Sequence, residues 1–199
     1  DNGVEVIELQ HGIFSDYHLG YSFPHRPKYL EYFPDKFYVW SGMWKKAITF
    51  PINEKKIIID KFRYLESEKT KYANLKKENQ IIVLSQGAIG NNIAEAILNN
   101  FNKFKRYNIK YKLHPGEFDR WEGYPALQKL SKFSNVTILK DEVHLYKLFS
   151  TSQIQVGVFS TALYEGVEFG CKTVLLDLPG IEYMNNFIDI VDDVEVLRW

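Results

Sequence analysis

From Gln80 onward the chain alternates apolar runs of strand length with segments of helical period, and few folds accept that pattern. Residues 80–85, 109–113, 136–139, 154–159 and 173–178 read as buried strands. Between them, residues 91–105 carry Ile93, Ile97, Leu98, Phe101 and Phe104 on one side at helical spacing. Residues 124–133, 142–149 and 161–169 continue the alternation as helices. Asp141 stands where it would cap the helix over 142–149, and Gly170 where it would stop the helix over 161–169. Asp192-Asp193-Val194-Glu195 reads as a capping box that opens a last helix running to Trp199. Strands separated by helices pair in parallel through right-handed crossovers. The expected fold class is therefore α/β, a Rossmann-like doubly wound parallel sheet over residues 80–199.

In open parallel sheets, ligands bind outside the carboxyl ends of the strands. Several polar residues fall at such ends. Ser85-Gln86-Gly87-Ala88-Ile89-Gly90 follows the first strand as a short loop, where glycine lets backbone approach a phosphate closely. It lacks the glycine spacing of a dinucleotide fingerprint and the Lys of a P-loop, and a plain tight turn is the alternative. His114 follows the second strand, its backbone direction set by Pro115. There it can donate to a phosphate oxygen, or it is a surface turn histidine. Phe159-Ser160-Thr161 turns the fourth strand into a helix whose free N–H groups suit an anion, or Ser160 simply caps that helix. Glu165 lies five residues past Ser160, off the capping-box spacing, where a carboxylate can accept ribose hydroxyls; a solvent-facing Glu is the alternative.

The first part of the chain is less regular. Residues 4–9, 36–40 and 57–60 read as strands, and 43–46 as a short helical turn. Residues 13–34 hold Pro24, Pro27 and Pro34 and many aromatics, and read as a long structured loop serving a cleft or an interface. Residues 66–79 are charged and read as an exposed helix or a connector. The expected organisation is 1–65 as the remnant of an amino-terminal domain, 66–79 as a connector and 80–199 as the nucleotide-binding domain. His11, between Gln10 and Gly12 after the first strand, is placed to deprotonate a hydroxyl. His11, His18 and His25 recur at a spacing that does not match a zinc pattern, so no metal is expected.

Lys+Arg and Asp+Glu both number 25, so no basic field argues for nucleic acid. Cys171 is the single cysteine, which excludes an internal disulfide and suits a reducing compartment. It reads as a small buried residue with nothing nearby to lower its pKa. No apolar run reaches bilayer-spanning length and no signal peptide is visible. The absence of an initiating Met suggests one domain of a longer protein.

Taken together, a strand ending in Gln10-His11-Gly12, a later Lys112-Leu113-His114-Pro115, and Phe159-Ser160-Thr161 followed by Glu165 resemble bacterial surface-polysaccharide transferases of GT-B architecture. The pattern is similar to CDP-glycerol glycerophosphotransferases of teichoic acid synthesis and to the CMP-sugar users, the sialyltransferases and Kdo transferases. It covers residues 4–12 and 80–180. Ile13 and Gln10 depart from the Thr and Trp usual in the teichoic polymerases, which weighs toward the CMP-sugar users. The resemblance implies a metal-independent glycosyltransferase without cofactor, taking a nucleotide-sugar donor and a glycan or lipid-linked acceptor in capsule or lipopolysaccharide assembly. It implies a cytoplasmic place, with peripheral contact at the inner membrane and a homo-oligomer both compatible. By the resemblance, His114 with Pro115 and Ser160 with Thr161 would contact the nucleotide phosphate, Glu165 the ribose, and His11 would be the base; Gln86 and Gly87, read from their strand-end position alone, would add a further nucleotide contact. A sugar-nucleotide epimerase of the same architecture, a CDP-glycerol-type phosphotransferase and a non-catalytic nucleotide- or glycan-binding module are the alternatives.

Overall fold

The structure is a computed structural model and describes residues 3–23, 25, 30 and 32–198. Pro24 and Pro27 of the irregular stretch, and Trp199 of the expected last helix, lie outside the described residues. The chain divides into two units, residues 1–66 and 67–199.

The first unit is a three-stranded parallel sheet. Its strands β1 (Ile7–Leu9), β2 (Lys36–Val39) and β3 (Ile57–Ile59) lie in that order, with Glu8 opposite Phe37 and Phe37 opposite Ile57. The crossover from β2 to β3 carries α1 (Gly42–Ala47) and a 3-10 turn (Glu54–Lys56) capped by Asn53. Three short strands bury little aliphatic surface, and rings supply the difference. Phe14 is 1% exposed and packs edge-on against Phe37, Trp44 and Phe50, while Tyr21 and Phe33 cover Phe37. Each such ring buries roughly 150–250 Å². The aromatic stretch read as a cleft or interface loop thus contributes to the core of this unit.

The second unit holds six parallel strands in the order β6-β5-β4-β7-β8-β9. Helix α2 (Arg63–Tyr72) occupies the first half of the stretch read as a connector. It leads to β4 (Glu78–Leu84), α3 (Gly90–Asn99), α4 (Phe101–Phe104), β5 (Asn108–Lys112), α5 (Pro125–Leu130) and β6 (Val136–Leu139). The second half runs α6 (Leu145–Thr151), β7 (Ser152–Gly157), α7 (Thr161–Glu168), β8 (Lys172–Leu176), α8 (Asn185–Ile190) and β9 (Val194–Leu197). The chain winds outward from β4 in one direction, then returns to its other side with β7. This is the doubly wound, Rossmann-like α/β fold, and its direction of winding reverses between β4 and β7. Ile81, Val83, Ile109, Val156 and Leu176 form the sheet's contribution to the core, and each side chain fully buried is worth about 1.5–3 kcal/mol.

Four local readings are corrected. The last helix is instead strand β9. Val194-Glu195-Val196-Leu197 pairs with β8, with exposed Glu195 between half-buried Val194 and Val196, and Asp193 turns the chain into it at φ 57 rather than capping a helix. The helix over 91–105 breaks at Asn100, whose Nδ2 donates to the Ala96 carbonyl at 3.0 Å and competes with the helical ladder. Helix α6 is capped by His144, whose Nδ1 accepts from Tyr146 N at 3.3 Å, and not by Asp141. Cys171 is buried as expected, but Lys77 Nζ lies 3.5 Å from its Sγ; burial outweighs that charge and still pushes the thiol up. Gly170 ends α7 at φ +73, a conformation suited to glycine. No helix among the described residues is long and apolar enough to cross a membrane.

Candidate functional site

Because β5 and β7 flank β4, the loops that leave these three strands share one edge of the sheet. Gln86 joins two of them. Its Oε1 accepts from Phe159 N at 3.2 Å, spanning β4 and β7 at the point where the strand order reverses. The side-chain oxygen is therefore used in holding two strand ends together. The same device occurs in the first unit. There Gln10, 5% exposed, accepts from Trp40 N at 2.9 Å through Oε1 and donates to the Gly12 carbonyl at 2.8 Å through Nε2.

His114 is exposed and opens a 3-10 turn (Pro115–Glu117). Gly116 N donates to its Nδ1 at 3.1 Å. That bond places the neutral ring's proton on Nε2, leaving Nε2–H as the donor. The ring lies over Gly87. A β-carbon on residue 87 would stand 3.2 Å from His114 Nδ1 and 3.4 Å from Arg120 Nη2. The loops after β4 and β5 thus meet at Gly87, with an imidazole and a guanidinium beside its Cα.

Ser160 caps α7 with extended backbone, and its Oγ accepts from Ala162 N at 3.2 Å. The hydroxyl proton remains free to donate. Thr161 is the first helical residue. Glu165, one turn on, is not solvent-facing. It is half-buried, Tyr146 of α6 hydrogen-bonds it, and burial raises its carboxyl above the ordinary range while that bond pulls the other way.

His11 belongs to the first unit. It is exposed, with its ring edge-on to Tyr21 at 6.1 Å between centroids. Tyr21 donates its hydroxyl to Glu8, and burial and that carboxylate push it up to about 12. Beside Gln10, a cleft of about 480 Å³ opens at the carboxyl ends of the three strands. Trp40 and Phe62 stack within its lining at 4.7 Å, and Asp60, Lys61 and Arg63 add charge.

Two residues escaped the sequence reading. Glu117 is fully buried, yet it is a carboxylate with assigned partners. Its Oε1 accepts from Ser85 Oγ at 2.9 Å and its Oε2 from His114 N at 2.9 Å. Tyr111, itself buried, donates its hydroxyl to the Gly90 carbonyl at 3.3 Å in the same cluster, and burial raises its pKa. Glu117 thereby ties the end of β4 to the His114 turn. The signal was its spacing, three residues past a turn-opening His with a side-chain acceptor, which is the capping-box interval. Arg120 follows on the next turn. Its N donates to Glu117 O at 3.0 Å, and its Nη2 donates to the Gly87 carbonyl.

No protein-family model matches this sequence, and no curated protein matches it. Solved structures resemble it in fold. The UDP-GlcNAc 2-epimerase from Methanocaldococcus jannaschii is similar with a TM-score of 0.53 at 11% identity, over 83% of this chain and 52% of that one. The C-terminal CMP-Kdo binding domain of WaaA from Acinetobacter baumannii has a TM-score of 0.43 at 14% identity, over 68% of this chain and 80% of that one. A glycosyltransferase from Rickettsia africae ESF-5 has a TM-score of 0.43 at 14% identity, over 82% and 49%. The chain thus spans about half the length of the epimerase.

Proposed function

We propose that this chain is part of a metal-independent glycosyltransferase that uses a nucleotide-activated sugar, CMP-linked, in capsule or lipopolysaccharide assembly at the cytoplasmic side of the inner membrane. One observation carries the reading. The ends of β4, β5 and β7 bring Gly87, His114 and the Ser160-capped start of α7 to the edge where a doubly wound sheet binds its ligand. In the proposed reaction a hydroxyl of a glycan or lipid-linked acceptor attacks the anomeric carbon. Its proton passes to a general base as the new C–O bond forms, the part that the sequence resemblance gives to His11. The bond from that carbon to the phosphate oxygen breaks, and its electron pair leaves with the nucleotide. His114 Nε2–H, the Ser160 hydroxyl and the Thr161 amide offset the charge on the departing phosphate. Pro115 fixes the direction of His114, and Glu165 accepts ribose hydroxyls. Gln86 acts by holding β4 to β7.

The fold likeness to the archaeal epimerase supports a second reading, a sugar-nucleotide epimerase. Both readings need the nucleotide site and differ in the product. Melting temperature with CMP, CDP, UDP and GDP added separately tests the shared part, because a ligand that binds only the folded state raises it. Stabilisation by a cytidine nucleotide that is lost in His114→Ala supports the transferase reading. Stabilisation by UDP alone, with UDP-GlcNAc converted to its 2-epimer, supports the other. No response to any of the four overturns both for this chain.

A further inference from the structure

We infer that Arg120 is a second phosphate ligand, which pairs with His114 across Gly87 to grip the anionic part of the donor. Its side chain is anchored on the Gly87 carbonyl through Nη2, and the rest of the guanidinium is exposed. A guanidinium carries five N–H donors, and this bond uses one. The salt bridges among the described residues leave Arg120 without a carboxylate partner. The nearby carboxylate of Glu117 is turned to Ser85 and the His114 amide.

Three features add up at one place. His114 presents Nε2–H, because Gly116 occupies Nδ1. Arg120 presents a planar fork that matches two oxygens of a phosphate. Gly87 has no side chain between His114 and Arg120, and a methyl group there would sit within 3.4 Å of both. The backbone of Arg120 is fixed by the turn that Glu117 roots, and its Nη2 is held on the Gly87 carbonyl.

The identity of the anion rests on the donor-nucleotide reading; its charge rests on this geometry alone. Isothermal titration at one fixed salt concentration, with CMP, UDP and pyrophosphate as probes, separates the two. Arg120→Ala should weaken binding of every probe that the wild type binds by about ten- to a hundredfold, the worth of one charge-assisted hydrogen bond. Arg120→Lys should recover only part of the loss, because the fork is gone. Gly87→Ala should weaken the same probes by crowding both side chains. Equal affinity of wild type and Arg120→Ala for a bound nucleotide overturns the role of Arg120 and leaves the donor reading standing. Arg120-dependent binding of pyrophosphate without any nucleotide binding supports the pair and overturns the donor reading. No binding of any probe overturns both.

Discussion

Gly90 and Glu117 fit together because residue 90 has no side chain. A β-carbon there would overlap Glu117 Oε1 and stand 2.8 Å from its Cδ and 3.1 Å from Ser85 Oγ. The carboxylate cannot step aside, since it is fully buried and accepts from both Ser85 and His114.

Gly90→Ala therefore separates packing from helix propensity. Propensity at the start of α3 favours Ala by up to about 1 kcal/mol. Overpacking costs about 1–3 kcal/mol. Urea unfolding should show a net loss of stability, and a gain would mean the Glu117 contact is not as tight as described.

Substitutions of Glu117 itself should rank by what they leave unpaired. Glu117→Ala strands the His114 amide and the Ser85 hydroxyl and opens a cavity, at about 2–5 kcal/mol. Glu117→Gln keeps an oxygen for His114 N and offers an N–H to Ser85, whose hydroxyl can turn to accept. It should lose less than half as much. Equal losses in the two variants, read from denaturant midpoints, would contradict the hydrogen-bond assignment.

Ser160→Ala removes the acceptor for Ala162 N and should cost about 1 kcal/mol in unfolding free energy. Ser160→Gly should cost only a few tenths of that, about 0.3 kcal/mol, because glycine also adopts the cap conformation. The comparison isolates the cap from the effect of side-chain volume.

Glu165 gives a pH signature. Its folded-state pKa is raised, by burial first, with the Tyr146 bond opposing. The folded chain thus keeps this proton where the unfolded chain has released it. The stabilisation is fully present below the ordinary carboxyl value and is lost as pH rises through the raised value. Glu165→Gln does not ionise, so relative to wild type it should gain stability as pH rises above the ordinary carboxyl value of about 4.3. Unfolding curves across that range check it, and a pH-independent difference would remove burial as the cause.

Much of the fold was legible because strands and helices in a doubly wound sheet carry their periods locally. Ile81–Leu84 is continuously apolar, and the α3 residues Ile93 and Ile97 recur at helical spacing. Where two patterns overlapped, the wrong one was read. Asp192-Asp193-Val194-Glu195 has capping-box spacing, while the alternation of Val194, Glu195 and Val196 is that of a strand, and pairing with β8 decided between them. The site was legible at the strand ends, His114 and Ser160, because topology alone makes such positions candidates. Arg120 was not, because its partner is the backbone of Gly87, 33 residues away. Glu117 looked like an ordinary turn carboxylate until Ser85, 32 residues earlier, appeared as its partner.

The Gln86–Phe159 bond bears on how a ligand enters. Neighbouring strands of a twisted parallel sheet diverge beyond their last backbone hydrogen bond. The Gln86 amide adds one more rung to the β4–β7 ladder just past that limit. Spreading these strands would break it, so the sheet edge acts as a fixed jamb. Glu117 ties the His114 turn to the same frame, through Ser85 just past β4.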